Sequence, residues 1–196
     1  IVDLFGYYLP AGIIVFPITY ILGDVLTEVY GYGRARTVIW LGFFSNLLLV
    51  LFILVAQVLP SAPFWGNQVA FETILGYTPR LLMASFLGYL AGSFSNSFVL
   101  SKMKILTKGR WLWTRTIGST FVGEGIDSLL FISLAFWGTS PNKVLLSMII
   151  TQWLFKTLYE TMITPLTYLA VSFIKKKEKV DVFDYETNYN PLKIKI

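Results

Sequence analysis

The chain reads as an all-α polytopic transmembrane helix bundle, and three observations carry that reading. It is 55% hydrophobic by count and only 14% charged, against about 25% charged in a soluble domain. Its apolar residues gather into long uninterrupted runs, which lipid forces into helices because backbone groups find no water there. Its basic residues fall in alternate connections between those runs, as the positive-inside rule requires.

Five runs are long enough to cross about 30 Å of hydrocarbon as helices, near residues 9–29, 38–59, 80–101, 114–138 and 144–174. Residues 1–176 then form a transport domain and 177–196 a polar, mobile cytoplasmic tail. Pro17 is expected to kink the first helix. The turn 30–37 holds Arg34 and Arg36, the loop 102–113 holds Lys102, Lys104, Lys108 and Arg110, and the tail holds Lys175, Lys176, Lys177 and Lys179. These are expected in the cytoplasm, with 60–79 and 139–143 outside. Residue 1 then lies outside, so a sixth, upstream helix is expected. In 60–79, Val69, Phe71, Ile74 and Leu75 suit a short interfacial helix, with Trp65 and Tyr77 as interfacial aromatics.

The net charge of +5 sits in loops facing anionic lipid rather than on one nucleic-acid-binding surface. There is no Cys and no His, which disfavours zinc sites, disulfides and serine–histidine hydrolysis. No metal, cofactor or enzymatic activity is expected. There is no P-loop, so the chain does not hydrolyse ATP itself.

An ionisable side chain inside a span is costly and reads as functional. In the first helix Tyr20, Asp24 and Glu28 share a face. Asp24 lies a turn deeper than Glu28, whose simplest partner is Arg34 or Arg36. The second helix offers Asn46. The third carries a small-residue stripe, Ser85, Gly88, Gly92 and Ser95, suited to packing within one subunit or between two in a homodimer, with Asn96 beside it. The fourth places Thr120, Glu124, Asp127 and Phe131 on one face. Gly123 and Gly125 flank Glu124 and leave room for a ligand at the backbone. The fifth carries Gln152, Lys156, Glu160 and Thr164 four residues apart, followed by Pro165, whose missing N–H frees a carbonyl. Lys156 is the one base deep in a span. Its partner is Glu160, one turn away, or Glu124 or Asp127 across the helices. This acidic interior suits a flat, N–H-rich ligand, because a carboxylate accepts two neighbouring N–H groups together.

Three motifs carry a resemblance. Asp24-x-x-Thr27-Glu28-Val29-Tyr30-Gly31 is followed by Ala35-Arg36, Trp40 and Asn46. Gly123-Glu124-x-x-Asp127-Ser128 and Gln152-x-x-x-Lys156-x-x-x-Glu160-x-x-x-x-Pro165 come later. Over residues 9–174 the chain resembles the queuosine-precursor transporter, or vitamin uptake transporter (VUT), family. The resemblance implies a six-helix inner-membrane importer of 7-deazaguanines such as preQ0, preQ1 or queuine, similar in plan to the substrate-binding (S) subunits of energy-coupling-factor (ECF) vitamin importers. On that reading Glu124, Asp127 and Glu160 accept ligand N–H groups, while Lys156 holds a carboxylate or bonds a ligand carbonyl. Asn46, Asn96 and Gln152 add amide contacts, and Asp24, Glu28 and Arg36 form a cytoplasmic gate or coupling element. The alternative is a binding subunit that needs a separate ATPase module. The acids would carry a coupling H⁺ or Na⁺, or the substrate would simply equilibrate.

Overall fold

The computed structural model describes residues 2–4, 7–9, 16–76, 79–139 and 141–193. It opens on a hairpin of two three-residue strands, β1 (Val2–Leu4) and β2 (Tyr7–Leu9), in antiparallel register Val2↔Leu9. Six helices follow: α1 (Phe16–Tyr30), α2 (Tyr32–Val58), α3 (Gln68–Leu75), α4 (Pro79–Leu106), α5 (Leu112–Phe136) and α6 (Asn142–Glu178). By length and composition α2 and α5 suffice to cross a membrane, and the chain is a helical membrane protein. Helix α2 leaves Leu41, Phe44, Leu48, Phe52 and Val55 exposed, a surface suited to hydrocarbon tails. The short helix α3 matches the apolar pattern of 68–75 and buries none of its residues; Tyr77 lies outside the described residues.

The first helix departs from expectation. Leu9 belongs to β2, and α1 has 15 residues, about 22 Å at 1.5 Å per residue. Pro17 is its second residue, in the first turn, where a missing N–H disturbs no helical bond, so it does not act as a mid-helix break. The turn expected at 30–37 shrinks to Gly31, because the backbone resumes helix at Tyr32 and places Arg34 and Arg36 on the start of α2. Helix α4 likewise runs on to Leu106. Apolar runs mark where lipid ends; the helices continue past that boundary. Pro165 sits inside α6 without ending it.

Packing centres on α4 against α5. A buried row along α4 recurs every four residues, Ala84, Gly88, Gly92, Asn96, Leu100 and Lys104, with Ser97 and Ser101 buried beside it. Ser85 is exposed and Ser95 half-buried, so the small-residue stripe lies one position away from where composition placed its ends. A Cβ on Gly88 would come within 2.8 Å of the Asp127 carboxylate, and one on Gly92 within 2.8 Å of Asp127 Cβ. A Cβ on Gly123 would reach 2.7 Å from Asn96 Cβ. The glycines thus bring α4 and α5 into contact within this chain. Helix α6 packs on α5, α2 packs on α4, and α1 touches α2, α4 and α6.

Glu28 ties the ends of these helices together. Its carboxylate accepts two bonds from Arg115 of α5, at 2.7 and 2.8 Å, and one from Lys175 of α6 at 2.7 Å. Lys104 of α4 donates to the Glu28 carbonyl and to Asp181. Arg34 and Arg36 are therefore not its partners. Arg34 is exposed over the Tyr30 ring. Arg36 donates to the Asn188 and Asn190 carbonyls, because two residues carry it to the other side of α2, where the tail lies.

The tail is docked rather than mobile. Val182 N–H bonds the Val29 carbonyl. Asp184 is buried and accepts from Tyr32 N–H and the Ser101 hydroxyl. Trp40 donates to the Pro191 carbonyl. Gly31, at φ 81°, has the tail against it: a Cβ there would lie 2.9 Å from Asp184 Oδ1.

Two outcomes follow. Glu28→Gln leaves buried Arg115 without a carboxylate and is expected to destabilise the fold by about 3–5 kcal/mol, read as a large fall in melting temperature in detergent. Partial burial works to raise the Asp181 carboxyl, but bonds from Lys104 and Lys175 outweigh it and hold the group below its ordinary value. Its contribution to docking is present in full above the unfolded carboxylate range and is lost as pH falls through the lower folded value. Proteolytic cleavage of the tail is therefore expected to stay slow at neutral pH, to accelerate only in strong acid, and to accelerate at neutral pH in Asp181→Asn.

Candidate functional site

The α5 spacing that puts Glu124 and Asp127 on one face also turns that face towards α4 and α6. Lys156, projecting from α6, bridges them: its Nζ lies 2.6 Å from Glu124 Oε2 and 2.6 Å from Asp127 Oδ2. Lys156 and Glu124 are buried, and Asp127 is the most accessible of the three. Two carboxylates against one ammonium leave the trio with a formal charge of −1. Lys156 engages across the helices rather than with Glu160 one turn along α6, because α5 supplies both of its acids at contact distance.

A cavity of about 420 Å³ opens beside this trio. Helix α4 contributes Tyr89, Gly92, Ser93, Asn96 and Ser97, and α5 contributes Glu124 and Asp127. The opposite wall is mostly apolar: Leu22 and Leu26 of α1, Val38 and Ile39 of α2, with Thr19 at one edge. Such a slot, polar on one side and apolar on the other, can take a flat heterocycle edge-on to the acids. A Cβ on Gly42 would lie 2.7 Å from the Tyr89 hydroxyl, so the glycine lets that ring lie against α2.

The structure divides the sequence-derived residues. Glu124, Asp127 and Asn96 line the cavity. Lys156 holds the two acids from the α6 side without lining it. Glu160 is buried nearer α1, within Coulombic reach of Asp24. Gln152 is half-buried and outside the lining. Asn46 is exposed on α2, because α4 and α1 cover other faces of that helix; it is not part of this cavity. The glycines beside Glu124 do not open a way to the backbone. Asn96 occupies the space at Gly123, and the Trp153 ring lies 3.2 Å from a Cβ at Gly125. Of the suggested gate residues, Asp24 is buried and accepts a 3.0 Å bond from Asn96 Nδ2, whereas Glu28 and Arg36 serve the helix-end knot and the tail.

Ser93, Ser97, Tyr89 and Thr19 went unread in the sequence. Ser93 and Ser97 share a helical face with Asn96 at i, i+3 and i+4, a signal hidden by the neighbouring glycines. Thr19 and Tyr89 carry no such signal. Among the described residues, no group of three acidic, histidine or cysteine side chains could hold a metal ion.

A family profile described as "Putative vitamin uptake transporter" matches residues 10–170. A "Probable queuosine precursor transporter" of Bacillus subtilis is 33% identical over 91% of this chain and 78% of its own length. The "Queuosine precursor transporter" of Escherichia coli is 25% identical over 72% of this chain and 61% of its own length. A further "Probable queuosine precursor transporter", of Haemophilus influenzae, is 25% identical over 68% of this chain and 54% of its own. The chain thus spans less than two thirds of the last two relatives. No solved structure matches.

Lys156→Met strands two acids and is expected to cost about 3–5 kcal/mol. Adding Glu124→Gln and Asp127→Asn to it removes the stranded charges and is expected to restore most of the melting temperature, since apolar or neutral replacement of a whole buried ion group is often tolerated.

Proposed function

The chain belongs to the vitamin uptake transporter family, and on that premise we propose that it imports a 7-deazaguanine precursor of queuosine across a bacterial plasma membrane. One observation carries the reading: Glu124 and Asp127 stand side by side at the wall of a cavity of about 420 Å³, already held by Lys156 and still net negative. A deazaguanine edge offers a ring N–H beside an exocyclic amine, a pair that one carboxylate accepts together. Asn96 and Ser93 supply further polar contacts, and the leucines of α1 cover the ring's face. Lys156 holds both acids in place. Glu160 and Gln152 act behind this wall rather than on the ligand.

The orientation follows from the basic residues. Arg36, Lys104, Arg115 and Lys175 converge at one end of the bundle with the tail. That clustering supports a cytoplasmic C-terminus in a multi-pass protein. The relatives named as queuosine precursor transporters support the substrate class. The cavity's acid pair supports preQ1 and queuine, whose side-chain amines are cationic, over neutral preQ0.

The test is ligand-dependent thermal stabilisation of the purified protein across guanine, preQ0, preQ1, queuine and unrelated vitamins, joined to uptake of labelled preQ1 by cells. Stabilisation by deazaguanines alone is expected. Glu124→Gln and Asp127→Asn are each expected to lower uptake at least about tenfold, the equivalent of about 1.4 kcal/mol, while the protein still reaches the membrane. Uptake unchanged in both variants would place the ligand elsewhere.

A further inference from the structure

Asp24 and Glu160 form a second acidic site that ligand recognition does not use. They come from α1 and α6, and both are buried, with 0% and 2% exposure. Each leaves one carboxylate oxygen without a hydrogen-bond partner, Asp24 Oδ2 and Glu160 Oε1. A third orphan stands with them: Asn96, more than nine-tenths buried, donates its amide to Asp24 and leaves Oδ1 unpartnered. Three buried acceptor oxygens without donors are the arrangement a cation completes.

The surrounding charges do not complete it. Glu160 is the strongest charged neighbour of Asp24, followed by Glu28 on its own helix. Glu28 is taken up by Arg115 and Lys175. Across α5, Glu124 also faces Glu160, and Lys156 is in contact with Glu124 and Asp127. On α4 the facing group is the neutral Asn96. Two carboxyls buried within electrostatic reach of one another, with Lys156 and Lys175 in contact with other acids, suit a positive ion.

We infer that Asp24, Glu160 and Asn96 bind one small monovalent cation, H⁺ or Na⁺, whose occupancy is transmitted to the substrate cavity through Asn96. The link is physical: Asn96 lines the cavity and bonds Asp24 with the same side chain. An ion between Asp24 and Glu160 fixes the Asn96 amide and so the polar wall beside Glu124. The site makes the importer ion-coupled, a conclusion that rests on the transport reading above; the ion site itself does not.

The experiment uses purified protein and proteoliposomes. Labelled preQ1 uptake is measured under an imposed pH gradient, an imposed Na⁺ gradient, or neither. One gradient is expected to raise accumulation several-fold; which one identifies the ion. Asp24→Asn and Glu160→Gln are expected to lose that response while retaining preQ1-induced stabilisation and preQ1 exchange at equilibrium. Wild-type accumulation indifferent to both gradients, or variants that still respond, would overturn the coupling. A wild-type protein that neither binds nor exchanges any deazaguanine would instead sink the substrate reading. The ion site is then judged by the dependence of melting temperature on Na⁺ and on pH. It is supported if the Asp24→Asn/Glu160→Gln double variant loses part of that dependence and overturned if the two proteins behave alike.

Discussion

The carboxylate of Glu28 is the constraint on which this molecule's arrangement depends. It sits in the last turn of α1 and holds Arg115 from α5 and Lys175 from α6, while the same residue's carbonyl accepts from Lys104 of α4. Four helices and the tail are therefore pinned at a single point. In hydrocarbon, apolar side chains give helices little reason to prefer one another over lipid. A buried, bidentate charge pair supplies the direction and register that greasy surfaces lack, and leaves the rest of the bundle to be completed by close fit.

That close fit is the seam of Gly88, Gly92 and Gly123. It brings α5 so near α4 that Asp127 fills the space where two side chains would otherwise stand. The seam thereby decides which way the α5 acids look. One turn further along α4 the row continues with Asn96, which packs against Gly123 and lines the cavity. Packing and site are consequences of the same spacing, so a change at the seam reaches the ligand wall directly.

Charge inside the bundle is sorted into three neighbouring groups with different balances. Around Glu28 bases outnumber acids, and the group closes structure. Around Lys156 two acids share one base, and the remaining negative charge faces the cavity. Asp24 and Glu160 each keep one oxygen without a hydrogen-bond partner among the described residues. Asn96 stands between the second and third groups. One side chain shared by two sites gives a direct physical route for coupling between them.

Much of this was legible in the chain. Long apolar runs with few charges required helices, and the spacing of Asp24, Glu124, Asp127, Lys156 and Glu160 put those groups on interior faces, since helical periodicity is local. The sequence did not reveal partners. Glu28 looked towards Arg34 and Arg36, eight residues away or fewer, yet is held by Arg115 and Lys175, because only the packing of α1 between α4 and α6 brings those bases near. The polar tail looked free, yet Asp184 and the carbonyls of 188–191 find donors on α2 and α4. Asn46 looked interior and is exposed, because periodicity says that a helix has faces but not which neighbour covers each. Composition and spacing determined a helical membrane protein with an acidic interior. The tertiary structure decided which acids share a base, which line a cavity and which stand open, because those are contacts between residues far apart in sequence.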